Sequence, residues 1–182
     1  MVIAHAHDNI SDMVRKYNTL ALTHPELTKE WNHERNGSFT PEQTSAGSAI
    51  KVWWKCSNGH PAYEWRTSIY NRTHTQSGCP VCAGRAPAAG FNDLATTNPA
   101  LAKEWNYGKN NELKPNAVLA NSTLVVWWKC SNGHPAYEWP AAIRNRTRGG
   151  SQCPVCAGRV TAAGFNDLQT THTALATEWN YD

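Results

Sequence analysis

No run of apolar residues in this 182-residue chain approaches the ~20 that a membrane-spanning helix requires, which excludes such a segment. The opening MVIAHAHDNI lacks the basic stretch and apolar core of a secretory leader, so a reducing, cytoplasmic setting is expected. Charge of one sign is scarce as well. Seventeen Lys and Arg stand against 14 Asp and Glu, and a net charge of +3 does not by itself announce a polyanion binder. Six cysteines are present, an even number, but without a leader their chemistry is expected to be metal binding or catalysis rather than disulfides.

What the chain has in abundance is self-similarity. VWWKCSNGHPAYEW runs from Val52 to Trp65 and recurs letter for letter from Val126 to Trp139, an offset of 74. CPVCAGR (Cys79 to Arg85, Cys153 to Arg159) and AAGFNDL (Ala88 to Leu94, Ala162 to Leu168) keep that offset. A looser element occurs three times, as LALTHPELTKEWN from Leu20, LATTNPALAKEWN from Leu94 and LQTTHTALATEWN from Leu168. The implied organisation is an N-terminal cap or arm (1–19), repeat 1 (20–93), repeat 2 (94–167), and the first helix of a truncated third repeat or a C-terminal cap (168–182).

Each repeat carries three cysteines and one shared histidine: Cys56, His60, Cys79 and Cys82, then Cys130, His134, Cys153 and Cys156. A Cx3H pair and a CxxC pair separated by eighteen residues are what a tetrahedral zinc site needs, four soft or borderline donors converging from two turns. Three thiols cannot all pair within one repeat, and CxxC has no βαβ context here, so iron, redox thiols and cross-links rank behind zinc. His24, His33 and His74 have Asn98, Tyr107 and Arg148 at the matching positions, which removes them from a shared site. All four positions are protein side chains, leaving none for an activated water. Two structural Zn²⁺ ions and no catalytic residue are therefore expected.

Lys51 to Lys55 alternates as a strand, SNGH turns at Asn58 and Gly59, and Ala62 to Trp65 returns. RTSIYNRT and PAAIRNRT are predicted as about two turns of helix, with Pro140 at the first helical position. The CPVCAG segments form second knuckles, with Gly84 and Gly158 permitting a tight turn. HPELTKEWN and its counterpart predict a helix with His24 or Asn98 near the N-cap and Pro25 or Pro99 at N1. Leu27 with Trp31, and Leu101 with Trp105, are then apolar pairs one turn apart, and the helix is a joint between modules. Trp53 and Trp54 point to opposite faces of their strand. The fold class is thus small α+β zinc-stabilised modules: two tandem repeats of β-hairpin knuckle, short helix and second CxxC knuckle, joined by short helices.

The frame WWKC, GH, W, NRT, CPVCAG and the following LxxEWN helix resembles the zinc-ribbon, treble-clef-like repeats of bacteria and their phages, over about 150 residues. The resemblance assigns the metal to the eight ligands above. It implies nucleic acid as partner, and attachment to a nuclease or other effector domain or protein, although no nuclease segment is present in this chain. It also implies nucleoid association.

Charge by segment agrees with that implication. Lys51, Lys55, Arg66, Arg72 and Arg85 oppose Glu64, and Lys129, Arg144, Arg146, Arg148 and Arg159 oppose Glu138, while 20–50 is net acidic. Three thiolates on Zn²⁺ subtract about one charge per module. Lys55, Arg66, Tyr70, Arg72, Arg85, Lys129, Arg144, Arg146, Arg148 and Arg159 are the expected nucleic-acid-binding residues. Arg72 and Arg146 are expected on phosphates, and the positions differing between repeats on base edges. Double-stranded DNA is the first partner; RNA, a single strand or a protein scaffold are the alternatives, and neither a membrane nor a small-molecule substrate is expected.

Overall fold

The computed structural model describes residues 18–180, so the expected N-terminal cap or arm lies almost wholly outside the described residues. The chain divides into two compact units between Arg85 and Ala86, and each contains its own two-stranded antiparallel sheet.

Among the described residues, the first unit opens on three one-turn helices, α1 (Leu20–Thr23), α2 (Pro25–Thr28) and α3 (His33–Asn36). Strands β1 (Lys51–Cys56) and β2 (Tyr63–Ser68) follow, then helix α4 (Ile69–Thr73). In the second unit α5 (Leu94–Thr97) and α6 (Pro99–Ala102) precede β3 (Val125–Cys130), β4 (Tyr137–Ala142) and α7 (Ile143–Arg148). The chain closes on α8 (Leu168–Thr171) and α9 (Thr173–Ala176).

Period-two alternation places the first strand of each hairpin. Val52, Trp54 and Cys56 face inward while Lys51 and Lys55 face solvent, and Val126, Trp128 and Cys130 repeat the pattern. Trp54 lies across from Trp65, and Trp128 across from Trp139. The two inward indoles, Trp54 and Trp128, are fully buried, and each donates Nε1–H to a carbonyl of its own hairpin, Thr67 at 3.2 Å and Ala141 at 3.0 Å.

The element repeated three times differs from its prediction. Pro25 and Pro99 do start helices and His24 and Asn98 occupy the N-cap positions, but neither side chain caps. The helix ends within one turn, before the tryptophan. Trp31 instead forms a β-bridge with Trp54, and Trp105 one with Trp128. The indoles meet edge to face with centroids 5.5 Å apart in both units. Leu94 and Trp105 belong to the core around Trp128, so the element is part of the hairpin that follows it, not a joint between modules.

Pro140 is also corrected. It lies in β4 opposite Trp127, not at the start of a helix. The Trp127 N–H and C=O turn outward, to Asn106 and Asn110, so 127 and 140 form a non-hydrogen-bonded pair. A proline there costs the ladder nothing. In repeat 1 the same continuation of the strand is stopped by Ser68, whose hydroxyl accepts the Asn71 N–H at 3.2 Å.

Asp93 opens α5 from a fully buried position. Burial would raise its pKa, but the Thr96 hydroxyl and the N–H groups of Thr96 and Gly90 outweigh it and hold the carboxyl below its ordinary value. Asp167 repeats the arrangement with Thr170 and Gly164 ahead of α8.

One device went unseen in the sequence. The outer edge of each hairpin is closed by a carboxamide: Asn110 Oδ1 accepts the Trp127 N–H and its Nδ2 donates to the Trp127 carbonyl, both at 2.8 Å. Asn36 does the same to Trp53. The pair mimics a neighbouring strand. Asn110→Asp keeps the shape and loses the donor, so it is expected to destabilise the second unit by about 1–3 kcal/mol. Urea unfolding followed by tryptophan fluorescence checks this; a variant indistinguishable from wild type would refute it.

Candidate metal centre

Two turns deliver the ligands in each unit. Cys56 and Cys130 end their strands facing inward, and His60 and His134 follow on a tight turn at Gly59 and Gly133, whose φ values of 71° and 72° glycine adopts without strain. The second pair comes from CPVCAG, wrapped by the bonds Ala157 N–H to Cys153 C=O and Gly158 N–H to Val155 C=O, both 2.9 Å. Val81 and Val155, between the two cysteines, anchor each knuckle in the core.

The four side chains converge. In each unit the three sulfurs and one imidazole nitrogen all lie within 4.8 Å of one another, and all six cysteines are free of disulfides. A tetrahedron with Zn–S near 2.3 Å and Zn–N near 2.05 Å has edges of about 3.8 Å between sulfurs and about 3.6 Å between sulfur and nitrogen. Cys56 and Cys82 sulfurs are 3.8 Å apart, and Cys79 Sγ is 3.6 Å from His60 Nε2. Cys130 with Cys156, and Cys153 with His134, give the same 3.8 and 3.6 Å. The His–Cys82 and His–Cys156 edges are shorter, 3.2 and 3.3 Å.

The outer ring nitrogen settles the tautomer. His60 Nδ1–H donates to the Pro61 carbonyl and His134 Nδ1–H to that of Pro135, each at 2.7 Å, which leaves the Nε2 lone pair for a metal. In the second unit Phe165, from AAGFNDL, packs edge-on against His134 with centroids 5.2 Å apart. Without a cation, desolvation of the sulfur, the hydrogen bond with Cys56 and the neighbouring Cys79 push the Cys82 thiol up to about 11; desolvation and Cys130 do the same to Cys156. A dication removes that penalty and drives thiolate formation. The donor set, its spacing and the fixed tautomer fit two structural zinc ions.

Residues 27–85 and 101–159 each match the family described as Probable Treble clef zinc finger domain. The chain belongs to that family. No curated protein matches the chain. Each treble clef segment begins in the Leu-Trp element and ends just beyond CPVCAG, and so encloses all four ligands.

The basic residues expected at a nucleic-acid surface separate into two groups. Lys55, Arg66, Arg85, Lys129, Arg144, Arg148 and Arg159 are exposed, as is Tyr70, whose ring stacks on His74 at 4.4 Å. Arg85 and Arg159 also brace their own knuckles, donating to the carbonyls of Gly78 and Gln152. Arg72 and Arg146, expected on phosphates, are instead turned into the core. Their side chains are only 3% and 5% exposed, and each guanidinium donates to a carboxylate at 2.8 Å, Glu30 for Arg72 and Glu104 for Arg146. Arg146 lies 4.8 and 4.9 Å from the ring centroids of Trp128 and Trp139, and Arg72 makes the matching contacts with Trp54 and Trp65. Among the described residues Nη1 of both arginines has no hydrogen-bond partner; the indole faces supply its environment.

The outward tryptophans are capped by cations that the sequence reading did not single out. Arg35 lies over Trp53 at 3.2 Å and pairs with Glu64, while Lys109, 74 residues on, lies over Trp127 at 4.0 Å and pairs with Glu138 at 3.0 Å.

Two outcomes follow from this geometry. Chelation should unfold both modules, because structural zinc contributes an apparent ~10–16 kcal/mol to small domains; elemental analysis should find two zinc ions per chain, and a circular dichroism spectrum unchanged by a strong chelator would contradict the site. Arg146→Ala, which strands Glu104 and opens the indole cage, should cost about 3–5 kcal/mol of stability. Arg148→Ala should stay within about 0.5 kcal/mol of wild type. Equal thermal stability of the two variants would refute the internal role of Arg146.

Proposed function

We propose that the chain is a non-catalytic tandem zinc module that recognises nucleic acid, with duplex DNA as the first partner, and that it acts in a reducing compartment as the targeting part of a larger assembly. One observation carries this reading. With Arg72 and Arg146 set aside as internal, each zinc-bearing segment still presents four exposed cations against one carboxylate: Lys51, Lys55, Arg66 and Arg85 with Glu64, and Lys129, Arg144, Arg148 and Arg159 with Glu138. Glu64 is engaged by Arg35, and Glu138 by Lys109 and, at 3.8 Å, by Lys129. The surplus faces solvent, where it suits a phosphate backbone.

A groove of about 540 Å³ that opens onto the second metal site, where Cys130, Cys153 and Cys156 line it, also carries Lys103, Lys129, Ser131, Asn132 and Gln152 beside the Glu104–Arg146 pair, and these donors support the same reading. A hydrolytic role draws no support from the site. Protein side chains fill all four coordination positions, and the carboxylates of Glu30 and Glu104 are committed to Arg72 and Arg146. A protein partner is the second reading, favoured by the exposed face of Leu168, Leu175 and Trp179.

Affinity for a labelled duplex, measured between 50 and 300 mM salt, should fall with a log–log slope steeper than about −3, at ~0.9 per phosphate contact. A slope near zero would remove the phosphate argument. Competition by single-stranded DNA and RNA at fixed salt then ranks the partners.

A further inference from the structure

The two modules share most of their hairpin sequence, yet they differ on one face, where the short helix after the hairpin meets the second knuckle. In module 1 that face satisfies itself. The Tyr70 ring stacks on His74 with an interplanar angle of 12°, and His74 Nδ1 lies 2.8 Å from the Thr73 hydroxyl. The Asn71 amide donates to the Thr67 hydroxyl, while the Thr75 and Ser77 hydroxyls both donate to the Asn71 carbonyl, at 2.7 and 2.9 Å.

In module 2 four substitutions remove contacts of that face. Ala141 stands in place of Thr67, so the Asn145 amide loses its acceptor. Arg144 and Arg148 stand in place of the Tyr70–His74 stack, one helical turn apart. Gly149 stands in place of Thr75, which removes one hydroxyl from the Asn145 carbonyl, and the retained Ser151 reaches that carbonyl through its backbone N–H, at 3.4 Å, rather than its hydroxyl. Arg144, Asn145, Arg148, Gly149 and Ser151 now line a concavity of about 390 Å³ that includes no acidic residue. Neither arginine forms an ion pair among the described residues, and the Ser151 hydroxyl and Asn145 amide make no hydrogen bond there. Two like charges at i and i+4 repel on a short helix, a repulsion that a bound anion reverses.

We propose that this cleft is a phosphate-binding site that module 1 lacks. It rests on the nucleic-acid reading for its natural ligand, a backbone phosphodiester. Two guanidiniums, an amide and a hydroxyl form a donor set suited to the oxygens of one tetrahedral anion. The tandem is therefore asymmetric: its second module grips the backbone on a face that the first keeps closed.

The test uses the zinc-loaded chain with two probes, inorganic pyrophosphate and a 20-nucleotide duplex. Arginine Nε–H resonances of Arg144 and Arg148 should shift with either probe, and those of Arg72 and Arg146 should not. Arg144→Gln with Arg148→Gln should lower the salt slope of duplex binding by ~0.9, the loss of one phosphate contact, with zinc content unchanged. His74→Ala, on the matching face of module 1, should leave the slope as in wild type. A double arginine variant that binds with the wild-type slope would overturn the cleft. Pyrophosphate shifts without duplex binding would keep the cleft as an anion site and overturn the nucleic-acid reading, and the absence of both would overturn both.

Discussion

Three sulfurs and an imidazole nitrogen held within 4.8 Å of one another are the constraint around which each module is organised. Crowded thiols resist ionisation, and a dication at their centre turns the repulsion into the strongest set of contacts in the domain. Small size makes this necessary, since a unit of this length buries too little apolar surface to be secure by packing alone. The cage draws on two distant turns, so closing it also fixes the hairpin against the second knuckle. The histidine tautomer, set by Pro61 and Pro135, belongs to the same arrangement.

Beside the cage lies a second organising element. A guanidinium enclosed by two indoles and one carboxylate ties the helix after the hairpin to the segment before it, 42 residues away in both modules. Planar and permanently charged, arginine can stack on the rings while its edge reaches the carboxylate. Residues that look like phosphate contacts by type and position hold the core together.

Much of this was legible because the repeat supplied its own comparison. An offset of 74 isolated eight ligands, dismissed His24, His33 and His74, and marked the hairpin and both knuckles. The same offset joins Asn36 to Asn110 and Glu30 to Glu104, but spacing does not state what a side chain touches. The carboxamide closing the strand edge and the carboxylate receiving the arginine required coordinates. The proline at 140 misled because a helix start and a non-hydrogen-bonded edge position both tolerate a missing N–H, and only the register separates them.

The third copy of the Leu-Trp element divides what is local from what is not. Its caps adopt nearly the same backbone angles as those of the second copy, φ −140° and ψ 63° at His172 against −137° and 62° at Asn98. Yet Trp179 is 60% exposed where Trp105 is 3% exposed, and Leu168 is 38% exposed where Leu94 is buried completely. Backbone conformation and ligand identity follow from residue type and near neighbours, so the chain's letters determine them. Burial, ion pairing and the division of arginines between core and surface depend on which distant strand arrives, and only the tertiary structure decided those.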